Sequence, residues 1–243
     1  CNGRFPAIMT LITMFLATSS FTDVTSGMLL VLFIILGVGA SLAASKLLTK
    51  TVLKGIPGSF ALELPPYRKP QFGRIIVRSV LDRTIYVLGR AALIAFPAGI
   101  LIYILSNTYI SGSSLIKYIC DFFDPVGRIM GMDGVIITAF ILGIPANEIV
   151  LPICLMIYTS GASLADVGNV GSVFSILNNN GWSSVTAICT ILFFIMHWPC
   201  STTLLTIKKE TGSLKWTLVS FVLPTLFGII CCVTVKTIFT IFF

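Results

Sequence analysis

Three short groups of residues carry the side chains that could do chemistry, and each interrupts an otherwise apolar stretch. They are Cys1-Asn2-Gly3-Arg4-Phe5-Pro6, Pro145-Ala146-Asn147-Glu148, and His197-Trp198-Pro199-Cys200 followed by Ser201, Thr202 and Thr203. Proline is their common feature. It has no N–H to give a helix, so Pro6, Pro152 and Pro199 release the carbonyls of Asn2, Glu148 and Ile195. Pro145 and Pro199 also push the residue before them toward extended backbone. Together the groups offer two thiols (Cys1 and Cys200), the only imidazole of the chain (His197), a carboxylate (Glu148), an amide (Asn147) and bare carbonyl oxygens. That set suits a borderline divalent transition metal better than sodium or an organic anion. Each residue also has a plainer reading. A lone histidine is more often a hydrogen-bonded core residue than a ligand, and Glu148 has the alternative of a partner on a neighbouring helix.

The elements that position these groups are set by composition. Of the 243 residues 56% are hydrophobic and only 10% charged, where a soluble domain carries about 25% charged residues. With a mean hydropathy of +1.01, this is a polytopic helical membrane protein. The net charge of +7 is no sign of nucleic acid, because the basic residues cluster in loops, where they set topology and meet anionic lipid. The seven cysteines are scattered without zinc or disulfide spacing, so most read as small buried hydrophobes. The chain starts at Cys1 rather than Met, which reads as a fragment more readily than as a lipidated terminus.

Along the chain, Phe5–Ala17 is short for a span of about 20 residues, and Gly27–Ser45 is a full-length span. Residues 46–90 form a basic linker with Lys46, Lys50, Lys54, Arg68, Lys69, Arg74, Arg78, Arg83 and Arg90. Its Glu63–Pro70 centre is too proline-rich for helix, and Arg74–Arg90 reads as an amphipathic helix at the membrane surface. Ala91–Ser106 is a span kinked at Pro97, and residues 107–133 read as short interfacial helices. Within 134–160, two apolar runs flank the Pro145–Glu148 turn, with Asn147 as N-cap of the second helix and Glu148 in its first turn. Residues 161–183 are polar and Gly/Asn-rich. Val185–Leu205 is a span broken at His197–Cys200, Lys208, Lys209 and Lys215 mark a second basic loop, and Thr217–Val235 is the last span.

Both basic loops belong on the cytoplasmic side, so an even number of crossings separates them. Two spans supply that number, and 134–160 is too short for two more. It is therefore expected to be a re-entrant hairpin with its tip near the midplane, a place where irregular backbone is tolerated only against protein or a cavity. If Cys1–Pro6 breaks a helix as Pro199–Cys200 does, the two units of broken helix plus span run in opposite directions, as in an inverted repeat.

At these same residues the chain resembles the ferrous iron transport protein B (FeoB) family. CNGRFP at 1–6, LKGIPGSFALELPPYRKP at 53–70, PANEIVLP at 145–152 and HWPCSTTLLTIKKETGSLKWT at 197–217 carry the resemblance, which covers essentially the whole chain. It implies the C-terminal membrane half of a bacterial inner-membrane Fe²⁺ permease. Residues 1–45 would end a first gate region, 46–90 link, and 91–243 form a second gate region. It further implies Cys1 and Cys200 as gate cysteines, Asn147, Glu148 and His197 along the path, and Pro6, Pro145 and Pro199 shaping the gate backbone. Fe²⁺ would be cargo, with no tightly bound cofactor. Partners would be lipid, an N-terminal GTPase domain, a small accessory protein and further copies of the chain. No G-x-x-x-x-G-K-[ST] loop occurs here, so the chain itself reads as no enzyme. The gate regions are also similar to parts of concentrative nucleoside transporters, which leaves a nucleoside or other small polar solute as the alternative cargo. A membrane module that binds nothing and follows a GTPase is the third reading.

Overall fold

A computed structural model of the chain describes residues 4–16, 22–51, 85–110, 112–159 and 170–242, together with Gly73 and Val77. The fold is helical. In order come α1 (Arg4–Phe15), α2 (Thr22–Thr51), α3 (Tyr86–Asn107), a two-residue antiparallel ladder of β1 (Tyr109–Ile110) with β2 (Ser113–Ser114), α4 (Leu115–Ile129), α5 (Gly134–Leu142), a 3-10 turn (Asn147–Ile149), α6 (Val150–Tyr158), α7 (Val170–Asn179), α8 (Ser184–Met196), α9 (Ser201–Thr211) and α10 (Leu214–Phe242). Cys1 and most of the basic linker, including Lys54, Arg68, Lys69, Arg74, Arg78 and Arg83, lie outside the described residues.

Among the described residues, three stretches are long and apolar enough to cross a membrane: Val24–Lys50, Ser184–Thr211 and Leu214–Phe242. A fourth is possible if α4 and α5, bent by 110° at their junction, count as one span. α2 is apolar all round and leaves Val31, Leu42 and Leu47 exposed, as a helix facing lipid does. Pro97 and Pro224 lie inside α3 and α10 without ending either helix.

The buried centre is built from α1, α5, α6 and α8. Ile8, Leu11, Ile12, Ile136, Phe140, Ile153, Leu155, Ile191 and Phe194 are all at most 2% exposed. Phe140 is the keystone. Its ring meets Phe193, Phe194 and His197 edge-on at 4.8, 4.7 and 5.0 Å between centroids, the geometry the aromatic quadrupole favours.

Residues 107–133 differ from the expected run of short interfacial helices. α4 is one continuous helix with Pro125 inside it, turning Ile116, Cys120 and Gly127 inward and Asp121 and Arg128 outward. One amphipathic face was enough to hold it against α5. Within the polar, Gly/Asn-rich 161–183, residues 170–179 form a helix, α7, whose Val173 and Leu177 share a buried face one turn apart.

The base of the α5–α6 pair is pinned by polar contacts. Asp133 caps α5 by accepting from the Ile136 N–H at 2.8 Å, and its other oxygen accepts from the Tyr158 hydroxyl. Tyr158 in turn accepts from the Trp182 indole N–H at 2.9 Å. Trp182→Phe removes one neutral hydrogen bond and part of a buried ring packed on Phe15, and is expected to cost about 2–3 kcal/mol, read as a fall in the unfolding midpoint of the detergent-solubilised protein.

Candidate functional site

α8 stops at Met196 for a local reason. The residue before Pro199 cannot easily stay helical, and the proline has no N–H to continue the ladder. His197 is already extended (φ −74°, ψ 176°) and closes the helix with its N–H on the Phe193 carbonyl at 2.8 Å. α9 restarts at Ser201 after Cys200, whose side chain makes no cap bond. The first N–H of α9, on Ser201, donates 3.0 Å to the Ile144 carbonyl. That bond fastens the turn between α5 and α6 to the break between α8 and α9.

Beside this joint lies a buried polar network contributed by three distant parts of the chain. Asn147 is 1% and His197 3% exposed. With the Asn147 amide turned so that both its ends are satisfied, its oxygen accepts from Arg4 Nε at 3.1 Å and Nη2 at 2.9 Å, while its nitrogen donates to His197 Nε2 at 3.3 Å. His197 Nδ1 faces the carbonyls of Phe193 (2.8 Å) and Phe194 (3.0 Å). An acceptor on that side requires Nδ1 to carry the hydrogen, which leaves Nε2 as the acceptor for Asn147. The ring is thus neutral and its tautomer assigned by its partners. Arg4 completes the network, with Nη1 donating to the Phe194 carbonyl at 3.0 Å and Nη2 to the Trp198 carbonyl at 3.1 Å.

Cys200 stands next to the network, 8% exposed, with its sulfur 3.0 Å from the Thr202 hydroxyl and 3.2 Å from that of Thr203. A cavity of about 310 Å³ opens here, bordered by Arg4, His197, Cys200, Thr203 and Ser220. It is roomy enough for a hydrated cation. Among the described residues, no three His, Cys, Asp or Glu side chains converge to hold a metal ion. Any ion here would meet one thiol and neutral oxygens, a weak donor set.

The sequence-derived residues fare differently. Asn147 and His197 touch, and Cys200 shares the His197 cavity. Glu148 is exposed and makes no ion pair or hydrogen bond among the described residues. Cys1 lies outside them. Pro6 sits in the first turn of α1, and Pro145 and Pro199 lie in the two non-helical links. The N-cap expected at Asn147 is a correction. Residues 147–149 form a 3-10 turn preceded by extended Ala146 (φ −149°, ψ 112°), and the Asn147 side chain caps nothing, because Arg4 and His197 take both ends of its amide. The missed residue is Arg4. Its signal was an ionisable side chain opening an apolar run, which is costly in a membrane and marks function by default.

The family described as Gate, nucleoside recognition, matches residues 88–214, just over half of the chain. The ferrous iron transport protein B C terminus matches residues 30–82. Among curated relatives, the Fe(2+) transporter FeoB of Staphylococcus aureus (strain MSSA476) is 27% identical over 231 residues, covering 92% of this chain and 32% of that protein. The Fe(2+) transporter FeoB of Methanocaldococcus jannaschii is 26% identical over 232 residues, covering 90% and 32%. That of Leptospira interrogans (serovar copenhageni) is 25% identical over 249 residues, covering 93% and 35%. The chain spans about a third of the length of these relatives. No solved structure matches it.

Proposed function

We infer, from a chain that belongs to the Gate family and corresponds to the C-terminal part of FeoB, that it forms part of the path by which Fe²⁺ crosses a bacterial inner membrane. The observation that carries this reading is the joining of the Ile144–Asn147 turn, the His197–Cys200 break and the start of α1 around one cavity beside a thiol. In this reading α5 and α6 form a re-entrant hairpin. At nine residues each and about 1.5 Å per residue, they reach roughly half of a ~30 Å hydrocarbon core. The proline-broken α8–α9 pair crosses beside it, and α1–α2 is the matching unit of an inverted repeat.

The chemistry is that of a weak, stepwise path. A ferrous ion shedding water in the cavity would meet Cys200 sulfur, the Thr203 hydroxyl and the carbonyls released at the break, donors that hold it loosely enough to let it leave. Cys1 would supply a second sulfur, and Glu148 would draw cations toward the turn. His197, held by Asn147 and two carbonyls, orients the break rather than ligating. Through its parent protein the chain would work with a GTPase domain, a small accessory protein and further copies of itself.

In proteoliposomes holding the full-length parent, Cys200→Ser is expected to slow ⁵⁵Fe²⁺ uptake severalfold, and Glu148→Gln to slow it less. Unchanged uptake in both would remove these residues from the path. The description of the Gate family as nucleoside recognition favours a second reading, in which Asn147 and Glu148 bind a small polar solute. Nucleoside uptake by the same proteoliposomes, with none of iron, would decide for it.

A further inference from the structure

Arg4 brings a positive charge to the Asn147–His197 network, and no carboxylate among the described residues meets it. All its hydrogen bonds among the described residues go to neutral oxygens: the Phe194 carbonyl (3.0 Å), the Trp198 carbonyl (3.1 Å) and the Asn147 amide oxygen (2.9 and 3.1 Å). The ion pair found among the described residues, Arg128 with Asp124, lies elsewhere, within α4. A partly buried guanidinium balanced only by dipoles is costly. The two carbonyls come from the last turn of α8 and the break after it, where helix geometry leaves oxygens unpaired and the macrodipole is negative. The amide oxygen arrives from the opposite element. Three oxygens from two elements therefore converge on one cation, next to a cavity with room for another.

We propose that the oxygens of Phe194, Trp198 and Asn147 form a seat for a divalent cation, and that the Arg4 guanidinium is its tethered occupant. The inference rests on the cation path proposed above and adds its regulation. A divalent ion and the guanidinium cannot share the seat, because like charges at contact distance in a low dielectric repel strongly. The ion enters when Arg4 swings away, and the returning guanidinium expels it and refills the seat. Arg4 thereby acts as a positioning residue that keeps the path closed to loosely held cations while leaving the break fully hydrogen-bonded.

The test is Mn²⁺ binding, an air-stable probe, by titration calorimetry on the purified chain in lipid nanodiscs. Arg4→Gln keeps hydrogen-bonding capacity and removes the charge, so it is expected to bind Mn²⁺ roughly tenfold tighter or more than the unaltered chain. Arg4→Lys keeps the charge and is expected to gain nothing. Asn147→Asp gives the opposite sign. Its carboxylate pins Arg4 in place and weakens Mn²⁺ binding, whereas in an ordinary ligand site added negative charge would tighten it. Equal affinity in Arg4→Gln and the unaltered chain, or tighter binding in Asn147→Asp, overturns the seat. If Arg4→Gln does not remain monodisperse, Asn147→Asp carries the test, since it adds an ion pair. Binding that ignores Arg4 overturns the seat alone. Absence of Mn²⁺ binding in every form, Arg4→Gln included, overturns both the seat and the cation path beneath it.

Discussion

Truncating Phe140 to alanine is expected to lower the stability of the purified chain by about 3–5 kcal/mol, measured as the shift in unfolding midpoint in detergent. Phe140 is fully buried, and its ring meets both phenylalanines of the last turn of α8 and the His197 ring. Removing it opens a cavity at the point where hairpin and break meet, and dispersion contacts are lost on every side at once. Phe140→Leu, which retains most of the volume, is expected to cost less than half as much. The functional effect follows from the structural one. With Phe140 gone, the imidazole loses one of its ring contacts and is held by Phe193, Phe194 and Trp198 alone, so iron uptake by the parent protein should fall further than stability alone predicts. A loss below about 1 kcal/mol would mean that α5 does not pack on α8.

A side chain at position 134 is expected to be as damaging, and a branched one more so. A Cβ built on Gly134 overlaps the Cys120 carbonyl and lies 2.7 Å from the Asp124 nitrogen and 2.9 Å from its Cα. Across the same joint, a Cβ on Gly127 would lie 2.6 Å from the Asp133 carbonyl carbon and oxygen. α4 and α5 thus approach backbone to backbone through a pair of glycines, and no side chain is present to swing aside. The Gly134 N–H also donates to Asp124 Oδ1 at 3.2 Å, which fixes the approach from the other direction. Gly134→Ala should cost about 3 kcal/mol or more, and Gly134→Val should leave no monodisperse protein in size-exclusion chromatography. Normal behaviour of Gly134→Val would show that the 110° bend is not held by close contact.

What the sequence made legible is what periodicity and proline control. The apolar runs anticipated α2, α8 and α10, whereas the turn expected at Pro145–Glu148 falls two residues earlier, at 143–146. Where local rules met long-range partners, the partners won. Asn147 has every local qualification for an N-cap, yet its amide is drawn between Arg4, about 140 residues upstream, and His197. No local rule pairs those three. Arg4 was visible as an ionisable residue beside an apolar run, but its targets are backbone carbonyls, which leave no mark in a sequence. Residues 107–133 read as short interfacial helices rather than one, because the buried face through Ile116, Cys120 and Gly127 is narrow and includes a glycine whose partner is backbone. Glu148 reads as functional from its surroundings in the sequence, and its exposure in the fold leaves its role to the uptake comparison.

The most direct measurement is anomalous diffraction from crystals of the chain soaked in Mn²⁺ or, under anaerobic conditions, Fe²⁺. An ion path through the joint of hairpin and break predicts an anomalous peak in the cavity bordered by Arg4, His197, Cys200 and Ser220, within coordinating reach of the Cys200 sulfur or the released carbonyls. Saturating soaks that leave this cavity without a peak while ions occupy sites elsewhere in the molecule would contradict it.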